Sequence, residues 1–460
     1  MTIDILPDVA LLGIFDFYIY EDPDKDIEAW HTLVHVCRNW RNVVFGSPHR
    51  LNLHLYCTER SPVRENLDVW PVLPIVVKVY TIDKWDNGNI IAALEHNDRI
   101  SELVIFDIPS SETEKALTAL QQPFPALTYL RFGFNIEAAP IIPASFLGGS
   151  APALETPILD CIPFPGLPNL PLSTTHLVDL DIQSIPHSGY ISPEAMVACL
   201  SVLTRLEYLY IGFEYPQSRP DRRPHPHART HLPVLTTLSF SGVSEYLEDL
   251  VARIDAPLLL ELSITFFHQP LFDNPQLTRF IRCIRCTPKF KAHNEAHVGF
   301  SDFDVTITLP RIFDGELELK FSYRRSDWQL SSVAQVSSSS FTQTFIPTVE
   351  RLYIERKHRA LPLGWQDDTE NTQLLELLHL FTAVKDLYIP SEFTPRIASA
   401  LKGLVGVRVT DVLPALQTLF LEESPLSGPV QEAIGQFVAA RQLAGHPLPV
   451  SIWERKEEEL

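Results

Sequence analysis

An apolar pattern of the form L-x-x-L-x-L recurs along most of the chain. Its clearest instances are Leu127/Leu130/Phe132, Leu206/Leu209/Ile211, Leu235/Leu238/Phe240, Leu259/Leu262/Ile264, Val349/Leu352/Ile354, Val384/Leu387/Ile389 and Leu416/Leu419/Leu421. Weaker instances are Ile100/Leu103/Ile105, Leu154/Leu159 and Leu177/Leu180/Ile182. First positions at 100, 127, 154, 177, 206, 235 and 259 are separated by 27, 27, 23, 29, 29 and 24 residues, and those at 349, 384 and 416 by 35 and 32. Alternation of period two predicts a short strand at each instance. Between strands the period lengthens to that of a helix. Ser111 with Glu114 forms a capping box, Ser192-Pro193-Glu194 is a helix start, and Glu245–Ile254 and Thr372–Phe381 read as amphipathic helices. Each unit is therefore strand, turn, helix, and the fold class is α/β. One such unit cannot bury its own apolar face, so the units are expected to stack, with parallel strands on a concave inner face and helices on the convex outer one.

These intervals bracket the period of leucine-rich repeats, and the array resembles that family's solenoid. One departure is consistent: the Asn that normally follows the strand appears only as Asn135, with Glu214, Val243 or Phe267 in its place elsewhere. Turn carbonyls must find other partners there, so an irregular solenoid is expected. The pattern breaks between Thr287 and Phe345. Within that stretch Val305/Ile307/Leu309 and Leu317/Leu319/Phe321 alternate strictly and predict paired strands, followed by a Ser-rich segment from Ser331 to Ser340. Pro429 opens a helix carrying Val430, Ile434, Phe437 and Val438, with Gly445 beyond its end. The expected domains are a helical module at 1–55, the irregular solenoid at 56–428 with an atypical stretch near 287–345, and a capping helix with a charged tail at 429–460.

The first fifty residues follow a different rhythm. Leu6-Pro7-Asp8 begins a helix on which Leu11, Ile14, Phe15 and Tyr18 recur at helical spacing. After an acidic segment from Glu21 to Glu28, Leu33, Val36, Cys37, Trp40 and Val44 form a second stripe. Leu-Pro, the Ile14-Phe15 pair and Val36-Cys37-Arg38-Asn39-Trp40-Arg41 together resemble the F-box family over residues 5–50. Val9 stands where that family commonly has Glu, and the loop around Asp22-Pro23-Asp24 is longer than usual. The resemblance implies a short helical bundle that binds a Skp-type adaptor of a cullin scaffold through Leu6, Pro7, Ile14, Val36, Cys37 and Trp40. It further implies a non-catalytic substrate-recognition adaptor of an SCF-like ubiquitin ligase, acting in ubiquitin-dependent degradation and presenting an unknown protein substrate on the solenoid. The alternative is a leucine-rich-repeat interaction scaffold whose N-terminal helices only cap the array.

Composition narrows the partners. A net charge of −20 and a pI near 5.2 repel nucleic acid and anionic membrane. The 38 prolines against 18 glycines favour many brief elements. Six cysteines in 460 residues do not make a disulfide scaffold. With a start that lacks a basic secretion signal and no run of apolar residues long enough to span a bilayer, a cytoplasmic or nuclear location is expected.

If the Leu-type positions face the core, the residues between them face outward. Those expected to contact substrate are Phe106, Tyr129, Arg131, Tyr208, Tyr210, Arg351, Tyr353, Tyr388 and Phe420, with Glu261, Glu355 and Asp386 among them. The same tyrosines would also suit an exposed strand through local packing alone. A second candidate is the Arg/Pro/His segment Arg219–His231, which could receive an acidic peptide or be a solvated insertion. No catalytic signature and no cofactor motif stands out. His293 and His297 would lie one turn apart on a helix, and Cys283 and Cys286 would lie on a buried helical turn; neither pair has the further ligands a metal centre needs, so no metal or cofactor is expected.

Overall fold

A computed structural model describes residues 6–20, 33, 35–46, 53–57, 63–69, 72, 74–79, 87–106, 110–134, 140–163, 174, 176–216, 229–267, 275–285, 294–301, 304–309, 317–322, 346–356, 368–404, 408–422 and 428–454. The chain forms two compact units, Met1–Tyr210 and Ile211–Leu460.

The first unit opens with helices α1 (Asp8–Tyr20) and α2 (Arg38–Gly46). Then follow β1 (Leu53–Tyr56), α3 (Val63–Val69), β2 (Ile75–Val79), α4 (Asn87–Leu94), β3 (Ile100–Phe106) and α5 (Ser110–Ala119). β4 (Tyr129–Gly133), β5 (Thr156–Asp160), β6 (Asp179–Ile185), α6 (Pro193–Leu200) and the first half of β7 (Tyr208–Phe213) complete it. The strands pair in chain order, and β1 to β6 are parallel throughout. Each helix crossing between neighbouring parallel strands meets the requirement that such strands cannot be joined by a tight turn.

The second unit continues with β8 (Thr230–His231), β9 (Thr237–Gly242), α7 (Ser244–Val251), β10 (Ile254–Asp255), β11 (Glu261–Phe266) and α8 (Pro275–Arg285). β9 and β11 are parallel. β12 (Glu295–Phe300), β13 (Asp304–Leu309) and β14 (Leu317–Ser322) then form an antiparallel meander. β12 also pairs in parallel with β15 (Arg351–Arg356). After α9 (Asp368–Leu378), the remaining elements are β16 (Asp386–Ile389), α10 (Thr394–Lys402), α11 (Arg408–Asp411), β17 (Thr418–Glu422), α12 (Pro429–Leu443) and β18 (Val450–Trp453). This sheet runs β14-β13-β12-β15-β16-β17-β18. Ordered parallel strands separated by helices make the chain a leucine-rich-repeat-like α/β array.

The recurrent apolar positions line the core. The second and third positions of the repeats, from Leu103/Ile105 through Leu130/Phe132 and Leu209/Ile211 to Leu387/Ile389 and Leu419/Leu421, are at most 3% exposed. Register places like on like: Leu103 opposite Leu130, Ile105 opposite Phe132, Leu387 opposite Leu419 and Ile389 opposite Leu421. Six of the strands are introduced by a turn in which the first-position amide donates three residues back. Leu127 bonds Phe124, Leu154 bonds Ala151, Leu206 bonds Leu203, Leu259 bonds Ala256, Val349 bonds Ile346 and Leu416 bonds Leu413. The small or apolar residue opening each turn is itself buried.

At the strand entrances a carbonyl ladder ties successive repeats together. Thr128 O accepts from Glu155 N and Thr156 N, Glu155 O from Val178 N and Asp179 N, and Val178 O from Glu207 N and Tyr208 N. In the second unit Asn294 O accepts from Glu350 N and Arg351 N, Glu350 O from Lys385 N and Asp386 N, and Lys385 O from Gln417 N and Thr418 N. One backbone oxygen per unit thus satisfies two amides of the next, as burial of backbone polar groups demands.

Several expectations need correction. The second N-terminal stripe does not lie on one helix: the chain leaves helical geometry at Cys37 before α2 begins. His297 lies on strand β12, not on a helix, and His293 falls outside the described residues, so the one-turn spacing is not realised. Cys283 is on a helix, α8, but exposed instead of buried, and Cys286 is outside the described residues. The amphipathic helices begin earlier than read, as α7 and α9. α12 ends before Gly445, which takes φ +85 just past it, and is followed by a further strand, β18, parallel to β17. The predicted pairing of 305–309 with 317–321 is found, with Val305 opposite Phe321 and Ile307 opposite Leu319. Asn135, the Ser-rich segment, the bulk of Arg219–His231 and the side chains of Val44 and Ser111 lie outside what is described.

Candidate functional site

Three surfaces carry the residues singled out above. The first is the N-terminal helix pair. On α1, Leu11, Leu12 and Phe15 are buried together with Leu33 and Val43. Phe15 packs on Trp40 with ring centroids 4.8 Å apart. The opposite side of α1 is also apolar but uncovered: Leu6 is 38% exposed, Val9 70% and Ile14 45%, and Val36 beside α2 is 53% exposed. Val9, Ala10, Gly13 and Ile14 follow the i, i+1, i+4, i+5 spacing of one helical stripe, and Leu6 stands just ahead of α1. A short helix that is apolar on both sides, with one side in solvent, is expected of an interaction surface and not of a closed core.

Cys37 and Trp40 serve this surface from beneath. The Cys37 carbonyl accepts from Arg41 N at 3.1 Å, and its Sγ accepts from Trp40 N at 3.4 Å, so Cys37 caps the start of α2. Trp40 is half-buried against Phe15. Leu6, Pro7, Ile14 and Val36 are exposed. Val9, read from sequence only as a family departure, belongs to the exposed stripe; its helical spacing from Leu6 and Gly13 was the available signal.

The second surface is the open face of the first unit's sheet. Register aligns Glu102, Tyr129 and Thr156 in one row, Val104, Arg131, Ile158 and Asp181 in a second, and Phe106, Gly133, Asp160 and Gln183 in a third. Gly133 leaves room for the Phe106 ring, since a Cβ there would meet Phe106 Cε2 at 2.7 Å. The Arg131 guanidinium lies 5.8 Å from that ring's centroid. Tyr208 and Tyr210 stand half-buried on the same side of β7. Thr156 Oγ1 donates to Asp179 at 2.9 Å and Gln183 Nε2 to Asp181 at 2.8 Å. One oxygen each of Asp160 and Asp181 is shielded from solvent with no hydrogen-bond partner. Burial pushes the Asp181 carboxyl above its ordinary value, Gln183 opposes this, and Asp160 adds to it.

A folded-state pKa raised above the unfolded one means that stability is lost as pH rises from about the ordinary 3.8. Asp181→Asn is therefore expected to stabilise the protein at neutral pH by less than about 1 kcal/mol, solvent screening being substantial at this site. The gain should vanish below the ordinary carboxylate range, and urea melts at neutral and acidic pH check both halves.

The third surface is the open face of the second unit's main sheet. His297, Tyr353, Tyr388, Phe420 and Ser451 occupy one cross-strand row. The rings stack nearly parallel along it: His297 on Tyr353 at 4.8 Å and 13°, Tyr353 on Tyr388 at 4.3 Å and 13°, Tyr388 on Phe420 at 4.4 Å and 5°. Adjacent parallel strands are spaced about 4.8 Å apart, so one ring per strand in register stacks without a gap. Trp453 leans across this row, its ring 5.4 Å from Tyr388 at 81° and its Nε1 donating to Ile389 O at 3.5 Å. Ion pairs flank the ladder. Arg351 joins Glu295 and Lys385 joins Glu350 at 2.6 Å, while the His297 ring Nδ1 is hydrogen-bonded to Glu355 Oε1. The Tyr353 hydroxyl is pushed up to about 12, first by burial, then by Tyr388 and Glu295.

Within each unit the expected recognition residues share a face. Phe106, Tyr129, Arg131, Tyr208 and Tyr210 do so in the first, and Arg351, Tyr353, Tyr388 and Phe420 in the second. None of them is buried. His297 and Trp453 complete the ladder and were missed, although the alternation Ala296/Val298/Phe300 could have marked a strand. Among the described residues no group of three or more His, Cys, Asp or Glu side chains is placed to hold a metal. No helix among them is long and apolar enough to cross a membrane.

No protein-family model matches the chain, and no curated protein matches it. Among solved structures it is similar to the leucine-rich-repeat-containing protein LegL7 from Legionella pneumophila, at 12% identity and a TM-score of 0.29, over 85% of this chain and 98% of that one. The repeat architecture assigned to the chain rests on its own strand order, core rows and carbonyl ladder.

Proposed function

We propose that the chain is a non-catalytic substrate-recognition subunit of a cullin-type, SCF-like ubiquitin ligase. The exposed stripe of α1, with Val36, would dock a Skp-type adaptor, and the open sheet faces would hold a protein substrate. The observation that carries the reading is the uncovered apolar side of α1, found in the segment whose Leu6-Pro7, Ile14-Phe15 and Val36-Cys37-Arg38-Asn39-Trp40-Arg41 resemble the F-box motif. The rate effect of such a subunit is positional: it raises the effective concentration of a substrate lysine near charged ubiquitin held elsewhere in the complex. Partly exposed aromatic and arginine side chains on rigid strands suit recognition because they bury much area with little entropy lost.

A second reading, an interaction scaffold unconnected to ubiquitin, draws on α1 and α2 preceding β1 as a cap would. A cap, however, should turn its apolar stripe inward, and Val9, Ile14 and Val36 point to solvent.

Co-expression with a tagged Skp-type adaptor tests the proposal. Wild type is expected to co-purify stoichiometrically, and Ile14→Asp with Val36→Asp to lose the adaptor while keeping its circular dichroism. Trp40 is a poor probe, because it packs on Phe15 and its loss would disturb the helix pair itself. Folded wild-type protein that never retains the adaptor would overturn the ligase reading and leave the scaffold.

A further inference from the structure

The two core rows of the second unit's main sheet run from strand to strand and stay sealed until the last. Val298, Ile354, Ile389 and Leu421 form one row, Ala296, Leu352, Leu387 and Leu419 the other, and each is at most 3% exposed. On β18 the same rows continue with Ile452 opposite Leu421 and Val450 opposite Leu419. There the seal fails: Ile452 is 72% exposed and Val450 43%. Among the described residues β18 is also the terminal strand of its sheet, with no neighbouring strand on its outer side. The segment Pro447-Leu448-Pro449-Val450-Ser451-Ile452-Trp453 carries no charge, whereas natural edges are commonly guarded by lysine or inward-pointing charge.

We infer that β18 is a self-association edge, pairing antiparallel with β18 of a second copy of this chain about a two-fold axis at Ser451. Residues directly opposite in an antiparallel pair point to the same face. With the axis at Ser451, Val450 of each copy faces Ile452 of the other on the core side, which closes both open rows at once. The smallest side chain of the strand then lies on the axis, where the two copies approach most closely. A slip of one residue would set Val450 and Ile452 against residues pointing to the other face, so the apolar pattern fixes this register. The sequence apolar–small–apolar is its own complement about Ser451, as an isologous interface requires. That self-complementarity favours a second copy over an unrelated strand. An uncharged edge is moreover where two copies of a chain with net charge −20 repel least. On the opposite face the axis brings the Phe420 ends of the two aromatic ladders towards each other across paired Ser451 residues.

A pairing of four-residue strands lies below the area of a standard interface, so dimerisation should be weak, with a Kd on the order of 10 μM. Sedimentation velocity on the full chain over a concentration series up to about 200 μM is expected to show a monomer–dimer equilibrium that Ile452→Lys abolishes. Ser451→Cys, made in a Cys283→Ser background to remove the thiol that is exposed among the described residues, should cross-link to a covalent dimer under mild oxidation. The Cys283→Ser parent should not. Because the positions tested are already solvent-exposed or half-exposed, these variants should fold, and thermal melts against wild type check that they do. A chain that stays monomeric throughout and does not cross-link through residue 451 overturns the inference. So does a dimer indifferent to Ile452→Lys, which would place the interface elsewhere.

Discussion

Arg441→Met is expected to destabilise the second unit by about 3–5 kcal/mol, because several buried carbonyls lose a charged donor and each buried polar group left unsatisfied costs about 1–3 kcal/mol. Arg441 is the largest fully buried side chain in the described structure, at 0% exposure. Among the described residues no carboxylate pairs with it. Its guanidinium donates instead to a set of backbone carbonyls: Nη1 to Val409, Val412 and Leu413 at 3.2, 3.5 and 3.3 Å, and Nη2 to Pro414 and Leu416 at 3.4 and 3.2 Å. These oxygens belong to the end of α11 and the turn leading into β17, where helical carbonyls lack intrahelical partners. One planar fork from α12 therefore satisfies the turn that places Leu416, the first core position of its repeat. Burial lowers the guanidinium's proton affinity, but arginine remains charged at any accessible pH. Methionine would fill the volume and leave the carbonyls unsatisfied. Lysine would keep the charge but not the fork, and should recover only part of the loss. Urea-induced unfolding of the three proteins ranks them; Arg441→Met as stable as wild type would contradict the assigned role.

Glu248→Ala should cost about 3 kcal/mol. Glu248 sits on α7 and is buried, and its two carboxylate oxygens accept from Gln276 N at 2.9 Å and Leu277 N at 2.7 Å, the first amides of α8. Helix N-termini expose amides without intrahelical acceptors and carry partial positive charge, so a carboxylate from the preceding repeat acts as a cap supplied in space instead of in sequence. Charge-assisted bonds of this kind are worth about 1.5–3 kcal/mol each net of the bonds to water they replace. Glu248→Gln keeps one acceptor and should fall between. Hydrogen exchange localises the effect: faster exchange confined to 276–280 is expected in the alanine variant, and unchanged exchange there would refute the cap.

These two residues mark the boundary of what the sequence discloses. Leu130, Leu209 and Leu387 could be placed in the core because Leu recurred at fixed offsets, and the hairpin 305–321 because its alternation was strict. β2, β12 and β18 escaped because Val77, Val79, Ala296, Val298, Val450 and Ile452 stand where Leu was sought. Pro157 likewise takes the place of a Leu opposite Leu130. Position in a row is set by neighbours in space, and several apolar residues fill it equally well. The roles of Arg441 and Glu248 depend on partners 25 to 32 and 28 to 29 residues away, beyond any local period.

The candidate surfaces divide in the same way. Tyr353, Tyr388 and Phe420 could be assigned to an outward face from strand alternation. Their stacking into one ladder with His297 depended on a register that joins residues 297, 353, 388 and 420. Residues 293–297 suggested a helix because two histidines stood four apart, but the following Val298 and Phe300 continue a period of two. At the N-terminus the order of residue types identified Leu6, Ile14 and Val36. Only the structure separated them, exposed, from Trp40 and Cys37, which hold the helices in place.

Docking of an adaptor on the exposed α1 stripe is tested most directly by isothermal titration of a purified Skp-type adaptor into the full chain. Saturable one-to-one binding, weakened about a hundredfold by Ile14→Asp with Val36→Asp and unchanged by Tyr388→Ser on the ladder of the second unit, is the predicted result. No heat of binding from well-folded wild type, or binding indifferent to the stripe, would contradict it.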